Sequence, residues 1–197
     1  MSTRAFIELL DGEGAHASPL GCLEDLPANA ARRRVEGFPH SIFDLVVHLN
    51  YWMDYDLRRI QGERPPYPEH AAESWPTTVG QSSNQCGADT PVRAKLEPMA
   101  NSSATTSDGT VVTEPEWREA IENFRNLLRQ VERLAQSDPA ALAREVEPIH
   151  PSHTERASSL SDTLWQTLVH NSYHVGQIVM LRQMLGLWPP RAGGDTW

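Results

Sequence analysis

The segment from Ser159 to Gly186 repeats apolar residues at the three- and four-residue steps of a helix, yet its centre is polar. Leu164, Leu168, Ile178, Leu181 and Leu185 supply apolar surface, while His170, Asn171, His174 and Gln177 stand among them. Polar groups at core positions cost free energy unless they find partners. This helix can therefore pack only against elements that satisfy those side chains. His170 and His174 are four residues apart, so their rings leave one helix face a turn from each other and can both reach one ion. Taken alone, the spacing describes a pair of surface histidines equally well.

The other elements announce themselves by their ends. Ser159 or Ser161 starts the last helix with Asp162 as the acidic half of a cap, and Gly186 stops it before Trp188-Pro189-Pro190. Thr113-Glu114-Pro115-Glu116 combines a cap threonine, an N-terminal proline and a capping-box glutamate, and predicts a helix to Ala135. Its buried face is Trp117, Ile121, Phe124, Leu128, Val131 and Leu134. Ser41 and Asp44 form a capping box for a helix ending at Gly62, with Ile42, Leu45, Leu49, Trp52 and Met53 on one face. Arg4 to Leu10 reads as a short helix closed by Asp11-Gly12-Glu13-Gly14, and Ser18-Pro19 predicts another running to about Leu26. A helical turn is expected at Pro139 to Arg144, then an irregular stretch through Pro148-Ile149-His150-Pro151.

His48 falls inside the apolar stripe of the Ser41 helix and so points toward the core. A lone histidine there reads as a hydrogen-bonded core residue. Two helices bringing imidazoles to the core side of a bundle are a different matter, because facing helices are where bundles build metal sites. His48, His170 and His174 are accordingly the expected ligands of one divalent transition metal ion, three neutral imidazoles that leave positions open. Asp44, one turn before His48, and Gln177 are candidates to orient these ligands. His16 and His150 are candidates for substrate contact, although His16, His40, His70, His150 and His153 all sit in loop or turn contexts that read as solvent-facing.

The chain reads as one all-α domain spanning 1–197, interrupted at about 63–112 by an insertion rich in proline and small polar residues. Short helices near Glu69 to Ser74 and Val92 to Met99 are plausible within it, and an insertion of that size is suited to covering a cleft or a partner surface. The formal charge of −9 argues against a broad footprint on nucleic acid. Cys22 and Cys86 have no framework spacing and read as free thiols. No apolar run approaches a membrane span and the first residues do not resemble a secretory signal, so no membrane partner and a cytoplasmic location are expected. Asn101-Ser102-Ser103 then reads as an accidental glycosylation pattern. A His-Glu-x-x-His motif is absent because Asn171 follows His170, which disfavours peptide hydrolysis. No Glu-x-x-His pair recurs, which disfavours a di-iron carboxylate site.

The string His170-Asn171-Ser172-Tyr173-His174-Val175-Gly176-Gln177-Ile178, continuing through Leu181-Arg182 and Leu185-Gly186 to Trp188-Pro189, resembles the final helix of the DinB family. Pro39-His40-Ser41 before a helix carrying His48-Leu49 is similar to another of its helices, and Leu9-Leu10-Asp11-Gly12 through Ala15-His16 resembles the start of a bacterial branch. The resemblance implies an antiparallel four-helix bundle, the insertion lying between its second and third helices, paired as a homodimer. It also implies that His48, His170 and His174 bind nickel, zinc or another divalent ion. The superfamily includes thiol-dependent enzymes, bacillithiol transferases and mycothiol-dependent maleylpyruvate isomerase among them, alongside members without known activity. The insertion exceeds the family's usual link.

An ion with open positions lowers the pKa of bound water or thiol. The expectation is thus a metal-dependent enzyme, a thiol-dependent S-transferase or a hydrolase, acting on a small molecule with a low-molecular-weight thiol as possible cofactor. The alternative is a non-catalytic metal-binding or stress-related interaction protein whose ion is structural.

Overall fold

The structure, a computed structural model, describes residues 3–13, 16–76, 112–149 and 158–193. The helices in chain order are α1 (Thr3–Asp11), α2 (Ala28–Ala31), α3 (Ile42–Ile60), α4 (Glu114–Ala135), α5 (Pro139–Leu142) and α6 (Leu160–Met184). Two residues at Glu145–Val146 (β1) pair antiparallel with Ser158–Ser159 (β2). The all-α expectation holds, and the small ladder was not foreseen because two residues cannot display a period.

The three long helices begin where their caps predict. The Ser41 hydroxyl accepts from the Asp44 amide at 3.2 Å while Asp44 Oδ2 accepts from the Ser41 amide at 2.8 Å. Thr113 with Glu116, and Ser159 with Asp162, close the same reciprocal loops at the starts of α4 and α6. Each loop satisfies orphan amide donors of a first turn. After α3 the chain reverses at Gly62, whose φ of 88° lies in the left-handed region that glycine tolerates.

The helix expected from Ser18 to about Leu26 is replaced by a single 3-10 turn, Gly21–Leu23, with α2 following Pro27. The reason is tertiary. The buried Arg182 guanidinium donates to the carbonyls of Cys22 and Glu24, both at 2.9 Å, and so takes acceptors that a continuing helix would use. It also reaches the carboxylate of Asp25 at 3.0 Å, a residue held at a φ of 51°. Just after α1, Gly12, at φ 78°, lies so close to the Ser18 backbone that a Cβ there would sit 2.2 Å from its nitrogen.

Four helices form the bundle. α3 packs against α4 on one side and α6 on the other, and the short α1 closes the ring between α4 and α6. The centre is filled by Phe6, Val46, Leu49, Met53, Phe124, Leu164 and Ile178, none of which retains exposed surface. Asn50 ties α3 to α4 by donating to the Ala120 carbonyl at 2.9 Å. On its outer side α6 carries Trp165, Val169, Tyr173, Met180 and Met184, each between 42% and 64% exposed. Among the described residues no helix is long and apolar enough to cross a membrane.

Of the insertion, the structure describes residues 63–76 and 112. A 3-10 turn at Ala71–Ser74 stands where a short helix near Glu69 to Ser74 was expected. The expected helix at Val92 to Met99, together with Cys86, Asn101, His150 and His153, lies outside the described residues.

Candidate metal centre and adjoining cavity

The packing of α3 on α6 brings three imidazoles together. His170 Nε2 lies 3.3 Å from His48 Nε2 and 3.0 Å from His174 Nε2, and the ligand atoms of all three lie within 4.8 Å of one another. Nitrogens on one tetrahedral ion, each about 2.0–2.1 Å from it, stand about 3.3 Å apart. The observed spacing is of that size.

The hydrogen bonds behind the rings decide which nitrogens face inward. His48 Nδ1 lies 3.1 Å from the Ser74 carbonyl, which can only accept, so Nδ1 carries the proton and Nε2 keeps its lone pair. His174 Nδ1 likewise donates to Gln177 Oε1 at 2.7 Å. Two acceptor nitrogens therefore converge on His170 Nε2. A single proton on His170 could serve only one of them at a time, whereas a cation serves all three. The three histidines could hold a metal ion, and the donor set fits a divalent transition metal.

Charge on the rings is disfavoured in the same place. Burial pushes the His48 pKa down to about 3, the Ser74 bond opposing and the neighbouring histidines adding to the fall. Burial and then the proximity of His174 bring His170 to about 4. His174 is lowered too, again by burial, against the pull of Gln177. Neutral imidazole is the form that ligates metal.

Residues that sequence reasoning passed over build the rest of the wall. Trp75 stacks on His48 with ring centroids 3.8 Å apart and planes within 6°, and His40 stacks on Trp75 at 3.6 Å and 3°. Rings so close to one centroid cannot share a face, so Trp75 is clamped between the two histidines. The start of the insertion thus covers the site, its Ser74 carbonyl and Trp75 ring both bearing on His48. The signal available was one tryptophan between the Pro68 and Pro76 breaks.

The other candidates fare differently. Gln177 Oε1 accepts from His174 Nδ1, the contact that a ligand-orienting residue would make. Asp44 does not play that part for His48: it is buried at the cap of α3, where its carboxylate takes the Ser41 amide, Arg32 at 2.5 Å and Arg34 at 3.3 Å. An N3 carboxylate is committed to its cap before it can reach a ring a turn away. His16 is not solvent-facing but half-buried, its Nε2 2.8 Å from the Ser172 hydroxyl. Ser172 is about 200° around α6 from His170, so His16 stands on the opposite flank of the helix from the metal cluster. His40 is half-buried, stacked on Trp75, while His70 is exposed as expected. His150 lies outside the described residues.

A cavity of about 310 Å³ opens beside His48 and His170, walled by Trp52, Tyr67, Trp75 and Ile149. At its far end Asp56, 7% exposed, accepts from Arg59 at 2.8 Å and from the Thr167 hydroxyl at 2.7 Å. Burial raises the Asp56 pKa, and Thr167 and Arg59 act against that rise. Arg59, itself buried, also donates through Nε and Nη2 to the Glu147 carbonyl at 3.0 and 2.7 Å.

Fold and site together define a class: a helical bundle in which facing helices present three neutral imidazoles, with a cavity at their side. The chain belongs to the DinB superfamily, whose family model matches residues 13–178. No curated protein matches it.

Proposed function

We propose that this chain binds one divalent transition metal ion, nickel or zinc, through His48, His170 and His174, and that it is an enzyme acting on a small molecule in the adjoining cavity. The observation that carries this reading is the pair of Nδ1 hydrogen bonds, from His48 to Ser74 and from His174 to Gln177, which turn two Nε2 lone pairs toward His170. When bound, such an ion supplies Lewis acidity and lowers the pKa of a coordinated water or thiol. The reaction class is transfer of a low-molecular-weight thiol to an electrophile, or hydrolysis.

The chain's own residues would do the rest. Ser74 and Gln177 hold two rings in the ligating tautomer, and Trp75 blocks one face of His48. Trp52 and Tyr67 offer ring surface to a bound molecule and exclude water from its flank. The cavity beside the histidines is what favours an enzyme over a stapling ion. A homodimer is part of the same reading: the outward face of α6, apolar from Trp165 to Met184, suits a second copy of this chain.

Elemental analysis of the purified protein, followed by a screen of the metal-loaded protein against thiols paired with electrophiles and against hydrolysable esters and amides, tests the proposal. One equivalent of metal and a turnover abolished by His48→Ala are expected. Metal-free protein with unaltered turnover, or turnover that survives His48→Ala, would overturn it.

A further inference from the structure

The cavity beside the histidines is ordered along α3. His48, Trp52 and Asp56 stand at successive turns of one helix face and all line it, so its two ends are separated by about 12 Å of helix axis. His48 and His170 mark one end. Trp52 and Tyr67 make the middle, their ring centroids 5.9 Å apart and their planes at 54°. Asp56 and Thr167 mark the other end, and Tyr67, 41% exposed, stands with Gln166 at the mouth.

Charge decides what the middle and the far end accept. Among the described residues neither lysine nor arginine lines the cavity. An anionic group beyond the histidines would meet the Asp56 carboxylate and find no cation of its own on the cavity wall. A cationic group would meet a carboxylate already paired with Arg59 at 2.8 Å. Hydrogen bonding is less fully committed: a carboxylate offers about four acceptor sites, and the partners of Asp56 are Arg59 and Thr167. The volume, about 310 Å³, is at the lower end of ligand sites and suits one or two rings.

We propose that the cavity selects an uncharged planar ring that lies against Trp52 and Tyr67, donates an N–H or O–H to Asp56, and turns its reacting group to the histidine end. This substrate class rests on the preceding reading of the histidines as the reacting end, but the selectivity belongs to the cavity walls and can be measured without turnover.

The test is calorimetric titration of the chain 1–197, zinc-loaded and metal-free, with 4-methylphenol, 4-methylanisole and 4-methylbenzoate, after elemental analysis has established the zinc content; the ranking is read where both forms agree, because an ion with open positions takes up phenolate and carboxylate on its own. A chain that takes up no zinc counts against the metal reading, and the three titrations then proceed on the metal-free chain as the test of the cavity. The phenol is expected to bind at least about tenfold more tightly than the ether, the size of one hydrogen bond to a charged acceptor, and more tightly than the carboxylate. Trp52→Leu should weaken phenol and ether alike, and Asp56→Asn should narrow the gap between them. Because Asp56 is buried and paired with Arg59, so that its replacement also tests the fold, the wild-type phenol-to-ether ratio is the deciding number. Equal affinities for the three probes, tightest binding of the carboxylate, or full phenol affinity in a folded Trp52→Leu variant would each overturn the proposal.

Discussion

His174 Nδ1 and Gln177 Oε1 lie 2.7 Å apart, three residues along α6, and this bond sets which face of the His174 ring meets the other two histidines. The amide oxygen accepts from Nδ1–H, leaving the Nε2 lone pair directed at His170. Replacing Gln177 by leucine removes the orienting acceptor while keeping a good helix former in place. Zinc affinity should fall about 10- to 100-fold, the usual cost of losing such a partner. Competition titration against a chelating dye checks this. Circular dichroism on the same sample should be unchanged, and undiminished affinity would mean that the bond has no part in ligation.

Metal and stability are linked through the same histidines. An ion that binds only the folded chain stabilises it by about 2.7 kcal/mol at one hundred times its dissociation constant. For a chain of this size that raises the melting temperature by roughly 5–11 °C. The shift should appear in the wild type and vanish in His48→Ala. The core around Phe6, Leu49, Phe124 and Ile178 is formed without any metal contact, so chelation should leave a folded protein. Differential scanning fluorimetry with and without zinc measures both; collapse of helical signal on chelation would instead make the ion structural.

The metal-free protein should lose stability as it is acidified from pH 7.5 toward pH 4. An unfolded histidine titrates near its ordinary value of about 6.5, whereas burial holds His48 at about 3 and His170 at about 4. Between those limits the unfolded chain binds protons that the folded chain refuses, so stability rises with pH. The contribution is complete above about pH 6.5 and disappears as pH falls through the folded values. Urea midpoints at pH 7.5, 6 and 5 follow this window. Replacing His48 by phenylalanine, which cannot titrate, should flatten the fall, and identical slopes in the two proteins would show that His48 does not cause it.

The bundle was legible because its information is local. Ser41, Thr113 and Ser159 each carry their acidic partner three residues on, and the stripes that follow name the buried faces. The three imidazoles were legible for the same reason, since helical spacing fixes where a ring points once the face is known. What the sequence hid depends on distant partners. Nothing local reveals that Arg182 would take the Cys22 and Glu24 carbonyls and stop a helix, nor that a loop residue, Trp75, would fold back over His48. Asp44 misled because one carboxylate can cap a helix or brace a ligand, and only the three-dimensional position of Arg32 shows which. Asp56 could have been found: it stands two turns after His48 on the same face, with Trp52 between them.

The outer face of α6 is the surface on which the homodimer reading stands. Trp165, Val169, Tyr173, Gly176, Met180 and Met184 recur at four- and three-residue steps and fall within about 100° of arc. Gly176 at mid-stripe has open space where a Cβ would be, which lets a second helix approach closely. Two copies related by a twofold axis through that point would place each apolar stripe on the other. Met180, 51% exposed, would then be covered, and Met180→Asp would bury a charge without a partner. Light scattering coupled to size-exclusion chromatography should give a dimer mass for the wild type and a monomer mass for Met180→Asp, with the zinc content of the variant intact because its side chain lies on the solvent side of the helix that carries His174. A wild type that elutes as a monomer at all concentrations would leave this face without a second copy.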